Sequence, residues 1–163
     1  MVVVSDASVL LALLRVRRAR VLWRLYGEIT IPSAVAKEVR TGAALTGHLS
    51  DHAALSFLRT VEVPLRGDVE ALGLHALHAG EREAIALAHR ESEATLLIDE
   101  REGRRVARRL GIRSRGTLGV LVDAKREGLV REIAPLVRIL REEYDFRLSD
   151  RLVAEVLRSV GEG

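Results

Sequence analysis

Two short apolar runs constrain this chain more than any other feature. Each is closed by an aspartate and followed at once by a helical pattern. They are Val2-Val3-Val4-Ser5-Asp6 and Ala94-Thr95-Leu96-Leu97-Ile98-Asp99. Apolar runs of this length without alternation read as strands buried on both faces, the habit of parallel sheets. Residues just beyond such strands lie along the carboxyl edge of the sheet, where α/β proteins bind ligands. Two carboxylates side by side there repel each other unless a cation joins them. The pair therefore predicts a metal site.

The rest of the chain fits a layered α/β fold. Glu28–Ile31 reads as a second strand broken by Pro32, Thr60–Val63 as a third and Ile112–Ser114 as a fifth. Helical patterns cover Ser8–Leu14, Arg15–Tyr26, the stretch from Pro32 to Arg40 near Gly42, and His48–Leu58. Further ones follow at Asp68–His78 (weak), Glu81–Arg90, Asp99–Leu110, Thr117–Glu127, Ile133–Glu143 and Asp150–Val160, the last with Ser149 as N-cap. Strands alternating with helices predict a three-layer α/β/α fold with a central parallel sheet of four to five strands. At 163 residues, one domain over 1–163 is expected, with the helices of 132–160 packing on it or forming an interface. The final glycines are expected to fray. Aromatic residues make up only 3% of the chain, so aliphatic side chains must fill the core, with Trp23 and Tyr26 as core or interface residues.

Composition removes several kinds of chemistry. There is no cysteine, which excludes disulfides, zinc–thiolate sites and thiol catalysis. No apolar run approaches the roughly 20 residues that span a bilayer. The opening residues lack a basic start and a small-residue cleavage site, so a cytoplasmic protein is expected.

Two more acids can be placed by topology. A helix that leads into a parallel strand begins at the carboxyl edge, so Glu81 lies near Asp6 and Asp99. Glu38 sits about two turns into the helix after the second strand, between Val35 and Val39, and faces either the sheet or solvent. Mg²⁺ and Mn²⁺ prefer carboxylate and water oxygens, and can activate a water and hold a phosphate. Each acid alone has a plainer role, as a helix N-cap or a charge on the helix dipole. Asp6, Glu81 and Asp99 together favour the site.

The blocks VVVSDASVLLALL, IPSAVAKEV, GEREAIALA, LLIDEREGRRVARRLGI, GTLGVLVDAKREGLV and FRLSDRLVAEVLRSVGE, in this order, resemble PIN-domain proteins. The likeness is to an uncharacterised branch related to VapC-type toxins, and it covers nearly the whole chain. It implies a metal-dependent ribonuclease fold acting on RNA with Mg²⁺ or Mn²⁺. By motif, Asp6, Glu38, Glu81 and Asp99 match the catalytic acids, and Asp6, Glu81 and Asp99 would hold metal. Glu81 stands where many relatives carry Asp. Ser8, Glu100 and Thr117 are accessory candidates. The likeness also implies a small antitoxin protein as partner and a homodimer.

Net charge is +3, nearly all of the positive charge from arginine, whose fork suits phosphate. Arg104, Arg105, Arg108 and Arg109 fall on one side of the helix after Asp99, opposite Val106, Ala107 and Leu110. They are candidates for RNA binding; the other reading is a solvated face paired with local acids. Arg15, Arg17, Arg18, Arg20 and Arg24 form a second, less placed group. His48 and His52 have ligand spacing, but the zinc-protease pattern needs Glu where Leu49 stands. Val153, Val156, Leu157 and Val160 form an apolar stripe that packs on the domain, seals a dimer or meets an antitoxin.

The function expected is a Mg²⁺- or Mn²⁺-dependent endoribonuclease, the toxin of a type II toxin–antitoxin pair. The alternative is a non-catalytic module of the same fold that binds RNA or protein. A phosphoryl-transfer domain of receiver or dehalogenase type fits worse. The dehalogenase pattern wants Asp where Ser8 stands, and a receiver wants acids paired at the first strand and a late Lys.

Overall fold

The computed structural model describes residues 1–45 and 55–163. Five parallel strands form one sheet in the order β3-β2-β1-β4-β5. They are β1 (Val3–Ser5), β2 (Ile29–Pro32), β3 (Leu58–Val61), β4 (Thr95–Leu97) and β5 (Arg113–Arg115). The described helices are α1 (Ala7–Arg15), α2 (Arg20–Tyr26), α3 (Ser33–Leu45), α4 (Asp68–Ala71), α5 (Ala79–Arg90), α6 (Arg101–Arg109), α7 (Thr117–Arg126), α8 (Ala134–Glu143) and α9 (Asp150–Ser159). The expected α/β/α layering and parallel sheet are present.

The central strands are apolar because both faces are covered. Val3, Val4, Ile29, Ile31, Leu96 and Leu97 are all buried, and α5 packs across β1, β2 and β4. The edge strands differ. Arg59 and Thr60 in β3, and Arg113 and Ser114 in β5, are exposed. Charged edges of this kind discourage pairing with another chain. Trp23 is 47% exposed, so it is not part of the core; Tyr26 packs half-buried against it.

Several boundaries depart from the sequence pattern, each for a local reason. Arg15–Tyr26 is not one helix. The Arg18 N–H reaches the Leu13 carbonyl at 2.7 Å and the Arg17 N–H reaches Leu14 at 3.0 Å, with Arg17 at φ 54°. This pair of bonds ends α1 and turns the chain before α2, with arginine in a position usually given to glycine. Pro32 does not break β2 but closes it, in register with Val61. β3 lies two residues earlier than the pattern implied, because its register with Ile29–Pro32 begins at Leu58.

Gly42 does not end α3. A Cβ there would come within 2.6 Å of a Leu11 methyl, so glycine lets α3 settle against α1. Of the helix expected over His48–Leu58, Leu58 belongs to β3 and the portion up to residue 54 lies outside the described residues, as do His48 and His52. The Asp68–His78 helix shortens to α4. Gly73 turns with φ 65°, and the Arg109 guanidinium donates to the Leu72 carbonyl just beyond the helix.

Between the two final glycines, Glu162 is tied to the domain. Its carboxylate accepts from the Ile133 N–H (2.8 Å), the Ala134 N–H (2.8 Å) and the Lys125 ammonium. Burial alone would raise its carboxyl pKa, but these donors outweigh it and hold the pKa low. One side chain thus caps the start of α8 and fastens it to α7. Glu162→Ala should cost about 1–2 kcal/mol, the worth of charge-assisted hydrogen bonds lost at a covered site. Thermal denaturation at neutral pH would show a melting point several degrees lower. The difference should vanish as acid protonates Glu162 below its ordinary range.

Candidate metal centre and flanking cleft

β1 and β4 are neighbours in parallel register, with Val3 opposite Thr95, Val4 opposite Leu96 and Ser5 opposite Leu97. Their ends are therefore level, and Asp6 and Asp99 emerge together at the point where the strand order reverses. In open parallel sheets such a point leaves a crevice for ligand.

Asp6 is the N-cap of α1. Its carboxylate accepts from the Ser8 N–H at 3.0 Å and, more weakly, from the Val9 N–H at 3.4 Å. The Ser8 hydroxyl lies 2.7 and 2.8 Å from its two oxygens. That same hydroxyl accepts from the Asp99 backbone N–H at 3.2 Å. Ser8 thus joins the two strand ends. Asp99 is held on its other side by Thr117, at the first turn of α7. The Thr117 N–H donates at 2.7 Å and its hydroxyl at 2.6 Å. Thr117 is fully buried, and a Cβ at Gly116 would come within 2.8 Å of the Asp99 carboxylate. Gly116 is the residue that lets this carboxylate reach the helix.

Glu81 and Glu38 stand around this pair. Glu81 turns back along its own helix and accepts from the His78 N–H at 3.1 Å. The exposed Glu38 lays its carboxylate against Gly80, where any side chain would collide with it. Another acid of α5, Glu83, accepts from the Ala34 N–H at 3.2 Å and ties α5 to the start of α3.

These acids feel one another's charge. Asp6 is 2% exposed, and burial pushes its carboxyl up to about 8, against the Ser8 hydroxyl bond and with help from the charges of Asp99 and Glu81. Burial also raises Asp99, opposed by the Thr117 bonds and the Arg104 guanidinium. It raises Glu81 too, opposed by the His78 N–H and aided by Glu100 and Glu38. All five acids therefore border one electrostatic site. Among the described residues, however, no three acidic or imidazole groups are close enough to hold one ion together. Glu81 would have to leave its helix cap to join a ligand set with Asp6 and Asp99. The donors do fit Mg²⁺ or Mn²⁺: all are hard oxygens, and the buried Asp6 lacks the countercharge that a cation would supply.

A cleft of about 790 Å³ opens beside Asp99 and Glu100. One wall is a stripe of α1, Ser8, Leu11 and Arg15; another is the start of α6 with Arg101 and Arg104. The third is the connection between α8 and α9, from Tyr144 to Leu148. The four arginines expected as one face of α6 divide their roles. Arg104 turns toward Asp99, Arg105 pairs with Glu102, Arg109 holds the Leu72 carbonyl, and Arg108 is exposed. Sequence reasoning grouped Arg15 with the basic residues that follow it rather than with the cleft, and missed Arg147. Arg15 stands seven residues after Ser8, a helical repeat that was open to view. Arg147 lies on an irregular connection and carried no such signal.

Raised carboxyls make the metal-free fold sensitive to base. Asp6 binds a proton more tightly folded than unfolded, so its contribution to stability falls as pH rises from 3.8 toward about 8. Asp6→Asn keeps a capping group but removes the charge. In EDTA it should melt several degrees above wild type at pH 8 and level with it near pH 4, as calorimetry would show. Mn²⁺ should raise the melting point of the wild type at pH 8 and not that of the variant.

A family model described as a PIN domain matches residues 2–162 of the chain. No curated protein and no solved structure gives a significant match.

Proposed function

The chain belongs to the PIN-domain family, and on that premise we propose that it is a metal-dependent endoribonuclease. The observation that best supports this is the pair of covered carboxylates, Asp6 and Asp99, held level by Ser8 at the sheet's switch point. A protein keeps such a pair against its own repulsion where a cation is to be bound.

In this reading Asp6 and Asp99 hold Mg²⁺ or Mn²⁺ with Glu81, and Glu38 completes the acidic site. When bound, the ion supplies a water activated for attack and positive charge on the scissile phosphate. The chain's own groups prepare that site. Ser8 and Thr117 fix the two aspartates by donating to them, leaving their remaining lone pairs for a ligand. Glu100 borders the site as a further acid, and Arg104 beside Asp99 supplies positive charge for a phosphate. The family likeness extends the reading to the toxin of a toxin–antitoxin pair, with a small antitoxin as partner and a homodimer as the working form. Of the stripe Val153, Val156, Leu157 and Val160, the last three pack half-buried against the core, which leaves Leu152, 39% exposed, and Val153 beside it for such contacts.

Cleavage of a mixed RNA pool tests the central claim. Purified protein should cut with Mn²⁺ or Mg²⁺ and not in EDTA, and Asp6→Asn and Asp99→Asn should each lose at least a hundredfold in rate. Equal faint cutting by all three proteins would mark a contaminant. No cutting with any metal would favour the non-catalytic binding module.

A further inference from the structure

The cleft beside Asp99 holds an arrangement that the acids do not explain. The Arg15 guanidinium lies over the Tyr144 ring, 5.1 Å from its centroid. Its Nε is buried with no hydrogen-bond partner among the described residues. A buried donor left unsatisfied is costly, and an arginine stacked on an aromatic ring is held in one orientation. The same cleft takes Arg101, Arg104 and Arg147 from two other elements. It also takes Phe146, so two of the chain's five aromatic residues line it. Ser8 and Arg15 lie on one stripe of α1, whose rise sets their backbones about 10 Å apart along the helix.

We propose that this cleft seats the single-stranded RNA segment flanking the bond to be cut, with Arg15 and Arg147 on backbone phosphates and Tyr144 under a base. The inference rests on the nuclease reading of the adjoining acids. Guanidinium forks bind phosphate oxygens two at a time, and Arg15 and Arg147 both line the cleft. Aromatic rings accept any base by stacking, which a paired duplex does not offer. The volume suits a short segment rather than a helix of RNA, since pockets of roughly 300–1,000 Å³ enclose small ligands. Arg101 and Arg104 carry the charge from this seat to Asp99.

Binding in EDTA separates the seat from the chemistry, because nothing is cut. Fluorescence anisotropy would follow a labelled single-stranded hexanucleotide over a series of salt concentrations. Arg15→Gln and Arg147→Ala should each weaken binding severalfold and flatten the slope of log affinity against log salt by about 0.7, the signature of one lost phosphate contact on a single strand. Tyr144→Leu should weaken it about tenfold with the slope unchanged, and Tyr144→Phe should restore it. Arg147 is exposed, so its variant is safe from misfolding. Arg113→Ala, at the start of β5 and so at the opposite end of the sheet from the cleft, should bind as wild type. Wild-type affinity and slope in all the cleft variants would overturn the proposal, and metal-dependent cutting by the same preparations would leave the nuclease reading intact. A wild type that binds no single strand overturns it as well and leaves the cleft to a protein ligand. Normal binding with no metal-dependent cutting would sink the nuclease reading and keep the seat.

Discussion

The parallel pairing of β1 with β4 is the constraint on which the rest depends. It sets Ser5 level with Leu97, so that Asp6 and Asp99 leave the sheet at the same height. A slip of two residues would keep every apolar side chain on its proper face yet move one acid by about 6.6 Å along the strand. Ser8 guards against that slip at the strand ends, because its hydroxyl touches both the Asp6 carboxylate and the Asp99 N–H. Packing alone would not notice the error; this hydroxyl would.

Covering a carboxylate is expensive, and the site shows how the expense is contained. Each aspartate receives donors from a helix start: α1 for Asp6, α7 for Asp99. Donors of this kind favour the charged form, while burial opposes it. Burial wins at both, and Asp6, the more covered, is pushed up to about 8. Asp99 is less covered and has an arginine nearby. The two carboxylates, alike in sequence, thus meet different fields.

Much of this was open to reading from residues alone. Apolar runs closed by aspartate located β1, β4 and the carboxyl edge, because burial on both faces leaves an uninterrupted apolar pattern. Glu81 was placed by topology, since a helix entering a parallel strand must begin at that edge. What stayed hidden depended on contacts between distant segments. Glu38 lies against Gly80, and no periodicity on α3 foretells a neighbour on α5. The pattern of α3 read as ending at Arg40, near Gly42, yet the helix runs on to Leu45 and Gly42 makes room for Leu11. Three arginines of α6 looked alike by spacing but found separate partners: just past α4, on their own helix and at the site. Tyr144 and Arg147 lie between two helices, where sequence offers no repeat to follow.

The contact between Glu38 and Gly80 has a consequence for how this chain can change. The carboxylate occupies the volume that a methyl group at position 80 would need. The carboxylate is the far end of a flexible, exposed side chain, so an alanine at 80 would turn it aside rather than be barred by it. The change would fall on the acidic rim, where Glu38 would leave its place against the start of α5 while the fold stayed as it is.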